Sequence, residues 1–389
     1  MTFNADFLNE LCHPRPAMIE AIRASGFPRP VRYFEAHNEV SPADLYCYLH
    51  ARFGPPNGFQ SFLRQPGSDN LIHWHWTLEH AGGLFDVQGT SFRTIFLLSG
   101  ETQAECYRVE DLIGSLKADF PGHGPRMSEC RKSLEHWIEF VSPFQRLYRS
   151  IRVLMKELAE LKIDEIAEPT ALLSTGDATT QKELAEEWRE AGSRLSKAFG
   201  ICFGIRSMLP TMAEAFVNLL LFSLMQEDLR SDQRMRERMF RENIDIRIRR
   251  LHRDCRGFSR QVDYSHPACA ALHSLMNERN DLLHGNVALR KLRFNDLFFA
   301  GDVPVFKKYR SMWERGFEVQ RRAVGLDRVK DELEVVETFV DYVLSCLTTP
   351  VRQSFEHVLS RHELGYNSRE DRVGVLFPEH LVDFRSGPE

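Results

Sequence analysis

Residues 266–286 read HPACAALHSLMNERNDLLHGN, and this stretch decides how the second half of the chain folds. Pro267 stands at one end, and Gly285 follows directly after the other. Proline suits the first turn of a helix and glycine the position just past its last turn, so the stretch predicts a helix over 267–284. The polar run from Arg279 to His284 then falls in its final turns.

Long helical patterns surround this helix from about Ser142 onward. Leu147, Ile151, Leu154, Leu158 and Leu161 step by three and four, as one apolar stripe does. Similar stripes predict further helices over 181–203, 211–229, 233–255, 309–324, 327–347 and 350–362. A turn-rich insertion with Gly301 and Pro304 separates two of them. The second half is therefore predicted to be a helical bundle.

The first half has a different periodicity. Ile72, Trp74, Trp76 and Leu78 alternate with the period of two that a half-buried strand requires. We predict strands over 71–80 and 84–88, a hairpin turn at 81–83, and another strand within 91–100. The predicted divisions are an α+β domain over 1–140, a helical connector or bundle extension over 141–207, a helical domain over 208–350, and a C-terminal helix and tail over 351–389.

Composition sets broad limits. The 389 residues are 43% hydrophobic and 27% charged, as in ordinary globular proteins, and the formal net charge of −5 gives no overall attraction to nucleic acid. No signal-peptide pattern and no apolar segment of about 18 residues is evident, so we expect a cytoplasmic protein without a membrane partner. The eight cysteines include no C-x-x-C pair, so we expect reduced core residues.

The segment R-N-D-L-L-H at 279–284 carries the chemistry. Arginine precedes histidine by five positions at four other places (Arg32/His37, Arg131/His136, Arg247/His252 and Arg352/His357), so spacing alone is weak evidence. Only Arg279 is followed by an amide, then by two leucines expected to pack into the bundle, and by a glycine after the histidine. On a helix, Asn280 and His284 share a face, with Arg279 about 100° around.

These residue types suit metal-free RNA cleavage. A base must take the proton of the ribose 2′-hydroxyl, and a cation must stabilise charge on the phosphoryl oxygens. Histidine suits the first task and the planar arginine fork the second, while Asn280 would orient His284 or bind a phosphate oxygen. One helix supplies one set of groups, so this hypothesis requires a homodimer that pairs two such helices.

The motif, set in a helical bundle, resembles the R-x(4–6)-H motif of HEPN (higher eukaryotes and prokaryotes nucleotide-binding) domains, over roughly 208–347. The N-terminal half has no counterpart in this resemblance. With the periodicity of the first half, the predicted fold is an α+β N-terminal domain followed by a mainly α-helical HEPN-like bundle. It implies that Arg279, Asn280 and His284 form the site, with Glu214 and Asp281 as accessory acidic candidates. It also implies a ribonuclease of toxin, CRISPR-associated or abortive-infection systems.

An arginine-rich region precedes the motif. Between Arg230 and Arg260 eleven arginines stand against five acidic residues. This surplus predicts an RNA-binding surface that includes Arg249, Arg253 and Arg256. The alternative, a solvated helix face with ion pairs, stays open because the acidic residues interleave at helical spacing.

Other chemistries receive less support. His73 and His75 alternate onto one strand face with His80 nearby, but H-x-H without a third ligand of clear spacing is more typical of packing. Phosphate-binding glycine loops and a G-x-S-x-G elbow are absent from the sequence. We therefore expect no cofactor and no metal.

The leading hypothesis is a homodimeric endoribonuclease that cuts tRNA or mRNA to leave a 2′,3′-cyclic phosphate. Its N-terminal domain would sense a trigger, recognise substrate or restrain the nuclease through a regulatory ligand or protein. The alternative is a non-catalytic HEPN-like module that dimerises or binds a nucleotide or partner. A hydrolase acting through the N-terminal histidines is a third hypothesis.

Overall fold

The computed structural model describes residues 5–26, 28–58, 72–90, 93–100, 108–166, 178–287, 289, 293, 295–308, 311 and 313–376. The chain divides into two compact units. Unit 1 comprises Met1–Trp137 with Leu376–Glu389, and unit 2 comprises Ile138–Val375.

Unit 1 contains a four-stranded antiparallel sheet of order β1-β4-β3-β2. Its strands are β1 (Val31–Ala36), β2 (Ile72–His80), β3 (Gly83–Thr90) and β4 (Thr94–Gly100). The predicted β2–β3 hairpin and the strand after it are confirmed, although Leu71, Ser91 and Phe92 lie outside the described residues. A Cβ on Gly83 would come within 1.9 Å of the Ser99 carbonyl oxygen, so this close strand contact requires glycine.

One face of this sheet carries the core of unit 1. The helices of the unit are α1 (Ala5–Glu10), α2 (Pro16–Ser25), α3 (Pro42–Phe53) and α4 (Val109–Ser133). Trp76, Leu78 and Phe85 of the sheet cluster with Leu45 of α3 and Leu112 of α4. The alternation read from the sequence therefore places the correct side chains inside, and unit 1 is an α+β structure.

Unit 2 is largely helical. Its helices are α5 (Pro143–Glu160), α6 (Ala178–Leu224), α7 (Glu227–Ser231), α8 (Gln233–Arg241), α9 (Ile244–Asp254), α10 (Pro267–His284), α11 (Val319–Val324), α12 (Val329–Ser345) and α13 (Thr349–Leu359). A π-helical turn, Glu314–Glu318, leads into α11. The central core is built around α6, with Phe216 of α6, Phe339 of α12 and Phe355 of α13 in ring contact.

The helix α6 corrects two expectations. The two helices predicted over 181–203 and 211–229 form one helix that runs through Pro210. Proline in a helix interior costs roughly 3 kcal/mol, but Leu209, Met212 and Ala213 around it are fully buried, and their burial outweighs that cost. Within 185–224 an 18-residue window reaches a mean hydropathy of 1.4, so this part of α6 is long and apolar enough to cross a membrane. The sequence analysis expected no apolar segment of that length. In this structure 61% of that window is buried inside the protein.

The single helix predicted over 233–255 is also wrong. It is broken into α8 and α9 at Glu242 and Asn243. Asn243 leaves the helical conformation (φ −58°, ψ 145°), and α9 begins at the next residue. The break lets α9 run in its own direction against α6.

Short strands complete unit 2. β5 (Trp137–Val141), β8 (Glu363–Asn367) and β9 (Arg372–Gly374) form a three-stranded sheet that the sequence did not predict, since 351–389 was expected to be helix and tail. The insertion after the motif contains a hairpin of β6 (Leu297–Ala300) and β7 (Val303–Phe306). Its turn is Gly301–Asp302, with a positive φ of 65° only at Gly301.

Candidate active site

The helix α10 begins and ends where the sequence predicted. His266 caps its start by accepting from the Ala268 amide, and Gly285 ends it in the left-handed conformation (φ 62°, ψ 33°). The Gly285 and Asn286 amides both donate to the carbonyl oxygen of Asp281. The Asp281 carboxylate accepts from Asn286 Nδ2 at 3.0 Å. Asp281 thus closes the end of the helix directly after His284.

The two faces of α10 differ sharply. Its buried face consists of Ala268, Cys269, Leu272, Leu275 and Met276. His273, Asn277, Asn280 and His284 are all exposed, and their spacing places them along one face. Leu283 was expected to pack into the bundle, but it is 45% exposed.

A buried ion network fixes the motif end of α10 to its neighbours. Arg206 of α6 donates to both carboxylate oxygens of Glu332 on α12, at 2.7 and 2.6 Å, and to Glu278 of α10 at 2.8 Å. Arg328 adds a bond to Glu278 at 2.9 Å. A Cβ on Gly325 (φ 68°) would lie 2.6 Å from Arg206 Nη1, so the loop before α12 needs glycine there. Glu278 directly precedes Arg279, so this network sets where the motif arginine emerges.

The guanidinium of Arg279 keeps its charge unneutralised. Its Nη1 donates to Asn280 Oδ1 at 3.0 Å, and its Nη2 lies 3.5 Å from Thr211 Oγ1 on α6. Its Nε is buried without a hydrogen-bond partner. No carboxylate lies within ion-pair distance of it in the described ranges of the chain. The group is therefore a held but uncompensated cation.

His284 stands one turn beyond Asn280. Its side chain is exposed, and it makes no hydrogen bond to any residue that the structure describes. Side chains four apart on a helix lie about 5–6 Å apart at Cβ, so His284 and Asn280 are neighbours on the same face of α10. The side-chain oxygen of Asn280 accepts the hydrogen bond from Arg279, and Asn280 makes no hydrogen bond to His284 among the described residues. The geometry favours Asn280 as the group that positions Arg279.

A polar stripe on α6 extends the site beyond the motif. Thr211, Glu214 and Asn218 are spaced i, i+3 and i+7 and share one face of an otherwise apolar helix. Asn218 accepts a short hydrogen bond from Arg247 of α9. Burial lowers the pKa of Arg247, although the carboxylates of Glu214 and Glu242 oppose this shift.

Sequence reasoning placed Glu214 in the site but missed Thr211, Asn218 and Arg247. The structure puts Glu214 one turn from Thr211, which contacts Arg279, and in electrostatic range of Arg247. Arg247 is 8% exposed, and no ion pair to it occurs among the described residues. The signal that could have identified Thr211 and Asn218 is the run of polar positions on the otherwise apolar α6; the sequence carries no comparable signal for Arg247.

The predicted RNA-binding arginines are all exposed but differ in their surroundings. The guanidinium of Arg249 stacks over the ring of Tyr264, 4.0 Å from its centroid. Tyr264 in turn contacts His273 Nδ1 at 3.2 Å, which places Arg249 at the N-terminal end of the exposed face of α10. Arg253 is paired with Asp254 at 3.2 Å. Arg256 lies in the turn after α9.

The four other arginine–histidine pairs of the same spacing lack this combination. Arg32 lies on strand β1 rather than on a helix. Arg352 on α13 is neutralised by Glu356 at 2.7 Å, and Arg131 is paired with Asp44. Arg247 is buried. Chemical context therefore distinguishes the motif at 279–284 better than spacing does.

Two histidines of β2, His75 and His80, are buried, whereas His73 is exposed. His75 is 2% exposed and bonds Asp86 at 2.7 Å, and Thr77 donates to the same carboxylate oxygen at 2.5 Å. His80 points to the opposite face of the sheet, against Phe7. Within these residues no three His, Cys, Asp or Glu side chains are grouped to hold a metal ion.

Seven of the eight cysteines lie in the described residues, all as free thiols. Six are buried, and burial raises the pKa of the Cys269 thiol of α10 to about 11. Cys12 is exposed, and Cys106 lies outside the described residues.

No family model, curated protein or solved structure matches this chain.

Proposed function

We propose that this protein is a homodimeric endoribonuclease that cuts RNA without a metal and whose unit 2 is a HEPN-like bundle. The observation that carries the proposal is the uncompensated Arg279 cation, held by Asn280 one turn from the exposed imidazole of His284. A guanidinium without a carboxylate partner remains available to bind a phosphate with two parallel hydrogen bonds.

The proposed reaction is an internal transesterification. His284 takes the proton from the ribose 2′-hydroxyl, and the 2′-oxygen attacks the adjacent phosphorus. Arg279 stabilises the charge that builds on the non-bridging oxygens. The bond from phosphorus to the 5′-oxygen breaks, and this oxygen takes up a proton. The products are a 2′,3′-cyclic phosphate and a 5′-hydroxyl.

A second copy of α10 completes this chemistry. One imidazole must accept a proton while another group delivers a proton to the leaving oxygen. Each chain offers one His284 and one Arg279, so two helices paired across a two-fold axis supply both roles. Homodimerisation is thus part of the proposal.

The RNA would lie along the exposed face of α10. From His273 to His284 this face is about 17 Å long, at 1.5 Å per residue. Arg249 and Tyr264 stand at its far end, where they offer a cation and an aromatic ring to the strand. Substrates of this kind include tRNA and mRNA. Unit 1 would recognise the substrate or a regulatory ligand, in a cytoplasmic toxin or anti-phage defence role.

A non-catalytic module is the competing proposal. Its support is the partial burial of Arg279, whose Nε lies inside the protein. In such a module the motif would position the end of α10 for dimerisation or nucleotide binding, and RNA would remain intact.

Product analysis separates the two. The protein is incubated in excess EDTA with a short single-stranded RNA and with the same strand carrying one 2′-deoxy sugar at the cut site. The nuclease predicts cyclic-phosphate ends from the first strand and no cut at the substituted position. Cutting that persists at the deoxy sugar, or intact RNA under every tested condition, contradicts it.

A further inference from the structure

Two cysteines meet inside unit 1. Cys47 of α3 and Cys130 of α4 are buried, at 0% and 6% exposure, and both are free thiols. The two thiols lie in hydrogen-bonding contact with each other. The residues are far apart in the sequence, so the packing of α3 against α4 makes this contact.

Contacts on either side of the pair fix its position in the interface. Before Cys47 along α3, Asp44 forms an ion pair with Arg131 of α4. After Cys47, the carbonyl oxygen of Ala51 accepts a hydrogen bond from Arg126 Nη1 of α4 at 3.3 Å. The partners on α4 therefore come earlier as those on α3 come later. The two helices run antiparallel here, and the two thiols lie opposite each other.

Only one of the two thiols can be reached from solvent. Cys130 lines an open cavity of about 520 Å³ together with His50, Arg52 and Arg126, and a molecule as small as hydrogen peroxide can enter a space of this size. Burial and the contact with Cys130 raise the pKa of Cys47 to about 11, so Cys47 remains a protonated thiol near neutral pH. A small oxidant would therefore react first at Cys130, and Cys47 would react second.

The end of α4 depends on α3 for its position. The helix runs through Pro121 and Pro125, each of which lacks the N–H group that a helix interior uses. The segment 126–133 follows these prolines and is tied to α3 through Arg126 and Arg131. A covalent bond at Cys130 would fix this segment to α3.

We propose that Cys47 and Cys130 are an oxidation-sensitive pair that closes to a disulfide in hydrogen peroxide and clamps the end of α4 to α3. In the first step the Cys130 sulfur attacks the peroxide, the O–O bond breaks, and a sulfenic acid and water form. In the second step the Cys47 sulfur attacks the Cys130 sulfur. The S–S bond forms, the S–O bond breaks, and the hydroxyl group leaves as water with the proton of Cys47. The pair is independent of the proposed nuclease.

Peptide mapping of the full chain tests the pair without RNA. The reduced protein is treated with hydrogen peroxide, its remaining thiols are blocked, and it is digested without reductant for mass spectrometry. We expect a Cys47–Cys130 peptide pair that is two hydrogen atoms lighter than its two reduced peptides. Cys269 and Cys346, two buried cysteines of unit 2 whose charges interact, are the matched control and should stay reduced.

Two variants test the order of the steps. In Cys47→Ala the partner is missing, so Cys130 should accumulate as a sulfenic acid that dimedone labels. In Cys130→Ala the remaining Cys47 should stay reduced, because solvent does not reach it. Thermal melts in reductant check that both variants fold, and the wild-type peptide map needs neither of them.

Hydrogen exchange tests the clamp. Amide exchange in the segment 126–133 should slow several-fold in the oxidised protein relative to the reduced protein, because the disulfide restrains its opening. Equal exchange in the two forms would reject the clamp.

Other results would overturn the pair itself. Cys47 and Cys130 that stay reduced in peroxide would do so, as would Cys130 that oxidises to a sulfinic acid without joining Cys47. Oxidation of Cys269 and Cys346 at the same rate would show that the arrangement of Cys47 and Cys130 confers no special reactivity. None of these outcomes depends on RNA cleavage, so they leave the proposed function untouched.

Discussion

The guanidinium of Arg279 donates a hydrogen bond to the side-chain oxygen of the next residue, Asn280, over 3.0 Å. Adjacent residues on a helix point about 100° apart, so the Arg279 side chain bends around the helix to reach this amide. A carboxylate partner would cancel the charge of the guanidinium, whereas the amide holds the guanidinium in place and leaves its charge intact. The pair therefore holds a cation in place for an anionic ligand.

This relationship predicts how substitutions at the pair behave. Arg279→Lys keeps the charge but loses the planar fork, so the single-turnover cleavage rate should fall about 100-fold or more. Asn280→Ala frees the fork, and we expect about a tenfold loss. Both changes should lower kcat with little effect on KM, because the contact strengthens only in the transition state. Arg352→Lys, in a pair of the same spacing, should cut like the wild type.

Arg249 gives a second prediction, on RNA affinity. Its guanidinium lies over Tyr264 at one end of the exposed α10 face. Arg249→Ala should weaken RNA binding several-fold and reduce the slope of log K against log salt by about 0.7 for a single strand. Binding titrations from 50 to 200 mM salt measure both. Arg352→Ala is the control, since Glu356 already neutralises that arginine; an equal change in its slope would count against a specific track.

The buried ion network under the site predicts that removing one carboxylate, Glu332, destabilises the protein far more than removing another, Glu356. Glu332→Ala leaves the buried charge of Arg206 without its main partner, and we expect a loss of about 3–5 kcal/mol in the free energy of unfolding. Glu356→Ala breaks an exposed pair worth roughly 0.3–0.5 kcal/mol. Urea unfolding of both variants checks this. Similar losses in the two would show that the network does not anchor α10.

Much of the bundle could be read from the sequence because its signals are local. Pro267 and Gly285 mark the ends of α10, and in unit 1 alternation marks β2 in the same local way. The continuous α6 could not be read, because the burial that overrides Pro210 comes from distant helices. The β6–β7 hairpin was missed for another reason. Both its faces are apolar, so Phe298 and Phe299 show no alternation.

The candidate site shows the same division. Arg279, Asn280 and His284 are close in sequence, so spacing and helix geometry could bring them together in advance. Thr211 and Arg247 come from other helices, and their approach depends on how α6 and α9 pack. The role of Asn280 could not be read from the sequence either, because only the structure shows that its side-chain oxygen accepts a hydrogen bond from Arg279.

His80 predicts a pH dependence for unit 1. Burial lowers the pKa of this histidine below its ordinary 6.5, although a backbone contact with Ser99 and the charges of Glu10 and Glu79 oppose the shift. The unfolded chain then binds more protons than the folded one below pH 6.5, so stability is full above that pH and declines as pH falls through it.

The variant His80→Asn tests this dependence. Its amide oxygen can still accept from the Gly82 amide, as Nδ1 does now at 3.1 Å, but it does not titrate. Urea midpoints between pH 5 and 7.5 should fall less steeply for this variant than for the wild type. Parallel curves would mean that His80 does not control the acid sensitivity.

The most direct test of the nuclease is the single-turnover cleavage rate of His284→Ala beside that of His357→Ala, in excess EDTA. His357 follows Arg352 at the same spacing and is exposed on a helix, as His284 is. It differs from His284 in the residues around it, so it is the matched control. We predict that His284→Ala cuts at least 100-fold more slowly and leaves no cyclic-phosphate ends, while His357→Ala cuts like the wild type. Equal cutting by the two variants would contradict the assignment of His284 as the group that moves the proton.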